Sequence, residues 1–390
     1  MCPGRVVLIP KGGPESAVVD AAALRPITVL AQVVRLWGKV RNRHLGAWAA
    51  QWMLPTQAGL PGGPGAEDLL WHSAALVERV QVTGRLAVGI SFDLRKAFDH
   101  VEWDVVEGLA RTMGAPEGPL QAALRLYAAL RRSFQAPGTR VVGPAVHSRR
   151  GVPQGCGLAP LCMAHVVRLW VAHLQGVPLG GGDLDVRMVV DDLHLLVEYP
   201  DCRPATRAPA YAALHRLAQA SMRVLRAAGQ GVNAAKCAAW STSALLQREH
   251  PRGVTIGRHP PGHPRHAPPI PWAPGFRDLG LTWRVHRGIP DVEGPKRDAR
   301  YRARAAALQP LPLSTVGRGR AAAALLRSVA YGSHLSVPTQ ARSWQVQATA
   351  RRAMLPPTAG LHVWEVWQVV LAPGHRVDLR AMAGLQALQA

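Results

Sequence analysis

Three aspartates carry the first chemical signal in this chain. Asp191 and Asp192 are adjacent, set between the apolar run Val186 to Val190 and the apolar run Leu193 to Val197. Asp93 closes a third such run, Ala87 to Phe92. Two short stretches rich in Val and Leu around a polar dipeptide read as a β-hairpin with a tight turn at Asp191-Asp192. Asp suits turns, so the turn alone accounts for one carboxylate. Two carboxylates at the mouth of an apolar hairpin repel each other and lose hydration unless a cation lies between them. The chain is also acid-poor, with Asp+Glu 24 against Lys+Arg 46. A metal site is the functional reading that the rest of the chain has to support. The structural alternative is a plain Asp-Asp turn, with Asp93 as a helix N-cap.

The elements that must position these groups follow from periodicity. Val6 to Ile9 reads as a strand ending at Pro10-Lys11-Gly12, and Arg25-Pro26-Ile27 precedes an amphipathic helix from Val29 to Trp48. Gln57-Ala58-Gly59 and the Pro/Gly cluster 61–65 make a loop, and helical spacing returns from Glu67 to Val80. Helices are expected over Trp103 to Met113 and Leu120 to Phe134, then a strand from Arg140 to His147. The loop Gly151-Val152-Pro153-Gln154-Gly155-Cys156-Gly157 opens an apolar helix, Leu161 to Leu174. Its glycines allow backbone amides to approach a phosphate or a base pair. A long helix, Tyr211 to Ala227, ends at Gly229. Residues 248–275 are rich in Pro and His without metal-ligand spacing and read as a loop.

Composition narrows the partners. Hydrophobic residues make up 48% of 390, enough to bury cores, and no uncharged apolar run reaches spanning length. The five cysteines form no CxxC, so a reduced interior and an intracellular, soluble protein are expected. The net charge of +22 points to a polyanion, with GC-rich codon bias as the plain alternative. That charge is concentrated. Helices are expected over Lys296 to Leu308, Thr315 to Ala330 and Thr339 to Met354. From Lys296 to Arg352 the one acidic residue is Asp298, among ten arginines that include Arg297, Arg300, Arg304, Arg318 and Arg320. One-signed charge over three helices suits a phosphate backbone.

Taken in order, these stretches resemble the reverse transcriptase of non-LTR (LINE-type) retrotransposons. Leu8-Ile9-Pro10-Lys11-Gly12 and Arg25-Pro26-Ile27 are similar to the family's fingers motifs. Phe92-Asp93-Leu94-Arg95-Lys96-Ala97-Phe98-Asp99 is similar to its first palm motif. Gly151 to Gly155 resembles the loop under the templating pair, and Val190-Asp191-Asp192 the aspartate pair. Asn233 with Lys236 fits the next motif, and Leu279-Gly280 the primer-grip turn. Two positions depart from the pattern. Val189 stands where an aromatic residue usually precedes the aspartates. Cys156-Gly157-Leu158-Ala159-Pro160 replaces a Ser-Pro-Leu-Ser-Pro-like run.

The resemblance implies an α+β right-hand polymerase whose antiparallel palm sheet is backed by helices. Fingers would span 1–85, palm 86–290, helical thumb 291–356, and 357–390 would be a tail without an assigned role. It implies two Mg²⁺ ions, with Mn²⁺ as a substitute, roughly 3.5–4 Å apart, held by Asp93, Asp191 and Asp192. Lys11 and Arg25 would grip the triphosphate, Phe98 would exclude a ribose 2′-hydroxyl, and Gln154 and Gly155 would touch the nascent pair. Lys236 would protonate pyrophosphate. Expected partners are an RNA template, a DNA primer, their hybrid and deoxynucleoside triphosphates. No nicking endonuclease is expected in this chain, which reads as a fragment or remnant of a longer element, nuclear if that element is target-primed. A group II intron-like enzyme and a degenerate copy that only binds nucleic acid remain open.

Overall fold

The computed structural model describes residues 3–10, 24–60, 62–116, 118–136, 139–256, 268–278, 281–285 and 293–314, with parts of 317–329 and 339–354. The chain divides into two compact units, one of residues 1–69 and 80–273, the other of 70–79 and 274–390. Lys11, Leu279-Gly280, Arg318 and Arg320 lie outside the described residues.

Along the first part run β1 (Pro3–Pro10), β2 (Leu24–Val29), α1 (Gln32–Trp52), β3 (Gln57–Ala58), α2 (Ala66–Thr83) and β4 (Leu86–Arg95). There follow α3 (Trp103–Thr112), α4 (Pro119–Ala129), β5 (Arg131–Gln135), β6 (Val142–His147), α5 (Ala159–Leu174), β7 (Asp183–Val189) and β8 (Asp192–Tyr199). Then come α6 (Pro204–Ala227), β9 (Gly231–Val232), β10 (Ala238–Ser241) and α7 (Ala244–Glu249).

Two sheets result. In the first, the order is β2-β1-β5-β6; in the second it is β10-β4-β8-β7-β3, with β9 also paired to β4. The second sheet is antiparallel except where the two-residue β3 runs parallel to β7. One face of its central strands is apolar: Leu86, Val88, Ile90 and Phe92 of β4 and Leu193, Leu195 and Val197 of β8 alternate along their strands and are essentially buried. Helices α5 and α6 join the same core, pinned by the Trp170 indole N–H donating to the Ser221 hydroxyl at 2.9 Å, both fully buried. Such a scaffold is mixed α+β, with helices covering an antiparallel sheet.

Three expectations are corrected. The first helix starts at Gln32, because Leu24 to Val29 pairs antiparallel with β1. The helix expected to reach Phe134 stops at Ala129. Leu130 turns into the core, and Arg131 to Gln135 becomes a strand between β1 and β6. Sheet neighbours decide this segment over its helical pattern. The tip of the hairpin is shifted by one residue: Val189 pairs with Asp192, so the turn is Val190-Asp191.

One buried histidine makes the core pH-sensitive. His165 packs against both Trp48 and Trp52, its ring centroid 5.5 and 4.8 Å from theirs, and its Nδ1 is 2.8 Å from the Leu161 carbonyl. Burial depresses its pKa to about 4. The unfolded chain therefore binds the extra proton first, and stability falls as pH drops from the ordinary 6.5 towards 4. His165→Phe should flatten the stability curve over that interval, measured by denaturant titration from pH 7 to 4.

The second unit contains β11 (Gly275–Asp278) paired antiparallel with β12 (Leu281–Arg284), then α8 (Glu293–Ala307) and a helix over Gln340–Met354. Asp298 and Arg342 join these two helices by a bidentate pair at 2.8 and 2.9 Å. The only acid of the basic run is thus committed to holding its own fold.

Candidate active site

Asp93 is not a helix cap. It sits inside β4, two residues before the strand ends at Arg95, directly opposite Asp192 on β8. Cross-strand partners project from the same face, and like charges in that position repel. The backbone of Asp93 is held from the other edge, where β4 passes from β10 to β9. There its N–H donates to Cys237 Sγ at 3.4 Å, and Asn233 N–H donates to its carbonyl at 2.8 Å. Burial pushes the Cys237 thiol up to about 11, so it serves as a neutral support. Lys236 is exposed on the short turn Ala234–Lys236 just before it.

Asp191 occupies the turn itself. Val190 before it has φ 58°, left-handed backbone that a β-branched side chain seldom adopts, at a cost on the order of 1–3 kcal/mol. The Asp191 carboxyl is raised above its ordinary pKa, first by burial and then by the neighbouring Asp93 charge, while Arg25 draws it back down. The fold therefore brings a fingers-motif arginine and two palm-motif aspartates, far apart in sequence, into electrostatic reach of one another.

These groups suit a hard divalent cation. Oxygen donors that repel one another in a partly buried site are relieved by positive charge, and carboxylate oxygens are the donors such an ion prefers. Among the described residues, no three His, Cys, Asp or Glu side chains form a closed ligand set. Asp93 and Asp191 form the coupled pair, and Asp192 adjoins it through the β4–β8 register.

The glycine loop builds a cavity of about 320 Å³ lined by Phe98, Gln154, Gly155, Cys156 and Gly157, with Arg35 and Lys39 from α1. Several bonds fix the loop. Val152 N–H donates to the Phe98 carbonyl at 2.8 Å, Thr28 N–H to the Gln154 carbonyl at 3.0 Å, and the Tyr127 hydroxyl to Cys156 Sγ at 3.0 Å. Gly155 has φ 115°, and a Cβ there would meet the Thr28 carbonyl at 2.8 Å, so only glycine lets β2 come so close. Phe98 is half-buried on the wall of this cavity. The sequence pattern does not reveal Arg35 and Lys39. At i and i+4 on a helix they look like ordinary surface charge, and their place at the loop depends on Gly38 packing against Cys156 and Gly157.

In the second unit, Arg300 and Arg304 on α8 are exposed, whereas Arg297 is half-buried on the flank of the face that buries Tyr301 and Ala305. Arg302 is exposed as well. The expected single face of Arg297, Arg300 and Arg304 is thus narrowed to two arginines available to a partner.

The family model for reverse transcriptase (RNA-dependent DNA polymerase) matches residues 9–282. No curated protein sequence matches the chain. Among solved structures, the telomerase of Candida albicans, in complex with a fragment of telomeric RNA, is similar with a TM-score of 0.50 at 11% identity. That match covers 100% of this chain and 59% of the telomerase chain. The telomerase of Candida tropicalis, likewise bound to a telomeric RNA fragment, has a TM-score of 0.50 at 10% identity, covering 90% of this chain and 53% of that one. The chain thus spans little more than half the length of these neighbours, and the likeness is one of fold. Among the described residues no helix is long and apolar enough to cross a membrane.

Proposed function

Because the chain belongs to the reverse transcriptase (RNA-dependent DNA polymerase) family and has its right-hand α+β fold, we propose that it extends a DNA primer on an RNA template. The observation that carries this reading is the convergence of Asp93, Asp191 and Arg25, three residues of separate motifs brought within electrostatic reach of one another. We assign it to the non-LTR, LINE-type branch on the wording of the Phe92 to Asp99 stretch, within 1–85 as fingers, 86–290 as palm and 291–356 as thumb.

The reaction is an in-line phosphoryl transfer, in which positioning and charge stabilisation do most of the catalysis. Two Mg²⁺ ions, when bound at Asp93 and Asp191 with Asp192 alongside, supply charge neutralisation at the attacking and leaving oxygens. Arg25, exposed and within electrostatic reach of Asp191, and Lys11 hold the triphosphate. Gln154 and Gly155 present backbone and amide to the nascent pair. Lys236 gives a proton to the departing pyrophosphate oxygen. The basic helices after residue 291 hold the hybrid through its phosphates, which are read by shape with little sequence preference. A second reading, a copy that binds nucleic acid without copying it, is favoured by Val189, which lacks the aromatic ring expected beside the primer end.

Phe98 offers a test of the first reading. If its ring blocks a 2′-hydroxyl, Phe98→Val should raise ribonucleotide over deoxynucleotide incorporation by about tenfold or more, a steric difference of about 1.4 kcal/mol. Single-nucleotide extension with dCTP against CTP measures it. Unchanged discrimination would assign sugar selection to another side chain.

A further inference from the structure

The strained turn that carries Asp191 is braced by a segment from far upstream. Met188 N–H donates to the Thr56 carbonyl at 3.1 Å, and Gln57 and Ala58 run parallel beside Met188 and Val189. Gln57 and Ala58 are buried there. The next residue, Gly59, has φ 87°, and a Cβ on it would lie 2.6 Å from Cγ2 of Val190. The Val190 side chain therefore fills the volume that any side chain at 59 would occupy. Val190 itself has left-handed backbone, which persists only where the surroundings enforce it.

We infer that Gly59 is a positioning residue for Asp191: its bare Cα seats the Val190 side chain and so sets the turn on which the carboxylate stands. The contact is independent of the reaction, but its kinetic consequence rests on the polymerase reading. Gly62 supplies the control. It has φ 82°, and a Cβ on it would meet nothing within 4 Å, so Ala there meets the same backbone penalty without the clash.

The experiment compares purified full chains carrying Gly59→Ala, Gly62→Ala, and Gly59→Ala with Val190→Gly. Primer extension gives kcat, its dependence on Mg²⁺ concentration is followed, and the unfolding temperature is read with and without Mg²⁺ alone. Gly59→Ala should lower kcat about tenfold or more relative to Gly62→Ala and demand more Mg²⁺, because small displacements of reacting groups are costly. Val190→Gly in the same chain should restore at least about a third of the loss, since it removes the clashing methyl and tolerates the backbone. Should Gly59→Ala not fold, Val190→Ala carries the test, because it empties the seat without a clash and should still lower kcat and raise the Mg²⁺ requirement. If the parent extends primers and Gly59→Ala matches Gly62→Ala, or Val190→Ala matches the parent, the inference fails and the polymerase reading stands. If the parent extends nothing, the polymerase reading fails, and the Mg²⁺-induced shift in unfolding temperature decides. A shift lost in Gly59→Ala alone supports the inference, and equal shifts overturn it.

Discussion

Asp191→Asn is expected to abolish primer extension, a loss of at least about 10³-fold in kcat, comparable with removal of a principal charge-stabilising group. Hybrid affinity should stay near the parental value if, as proposed, the basic helices of the second unit supply it. The same substitution should make the cation-free protein more stable. The Asp191 carboxyl is raised by burial and by Asp93. Its folded form thus prefers the proton, and ionisation at neutral pH costs folding free energy. The penalty is absent below the ordinary value of 3.8, sets in as pH rises through the interval up to the raised folded pKa, and is constant above it. In chelator at pH 7 Asp191→Asn should therefore melt above the parent, and at pH 3.5 the difference should vanish. Mg²⁺ should raise the melting temperature of the parent and do so less for the variant. A variant that extends primers at the parental rate would remove Asp191 from the chemistry. One that melts lower at pH 7 would mean that its charge is already compensated without a cation.

Salt should act on binding as strongly as this substitution acts on rate. Each phosphate contacted by Lys or Arg contributes a slope of about −0.9 in log affinity against log salt for B-form duplex, with a similar order expected for a hybrid. Replacing Arg300 and Arg304 by Gln should lower the magnitude of that slope by about two, and weaken binding uniformly across hybrid sequences. Arg302→Gln, also exposed on α8 but on the opposite flank, serves as the control. Arg297 is left intact because it is half-buried, and Arg342 because it is engaged with Asp298. Hybrid binding titrated at several salt concentrations measures the effect. A double variant that keeps the parental slope would make these arginines compositional.

Local periodicity makes part of this molecule legible in its sequence. Alternating and continuous apolar runs mark β4, β7 and β8, and with them Asp93 and the hairpin, because buried central strands show their burial residue by residue. The turn falls one position from where the residue types place it, since Asp is the better turn former but Val190 takes the left-handed site. Nothing local to Val190 reveals that; Gly59, more than a hundred residues away, makes the room. Strand β5 is hidden for a similar reason. Arg131 to Gln135 continues a helical pattern, and its pairing with β1 is a contact across much of the chain. Arg25 is legible through its motif, but its proximity to Asp191 requires the fold. Cys237 under Asp93, and Arg35 with Lys39 at the cavity, carry no signal beyond their types.

The most direct measurement is extension of a labelled DNA primer annealed to a defined RNA template by the purified chain, with deoxynucleoside triphosphates and Mg²⁺. Asp93→Ala is run beside the parent as the background. The parent should add nucleotides dictated by the RNA, stop when the template ends, and fall to the Asp93→Ala level when chelator is added. A parent that binds the hybrid with a steep salt dependence, yet extends no further than Asp93→Ala in either Mg²⁺ or Mn²⁺, would contradict polymerase activity and leave a nucleic-acid-binding protein.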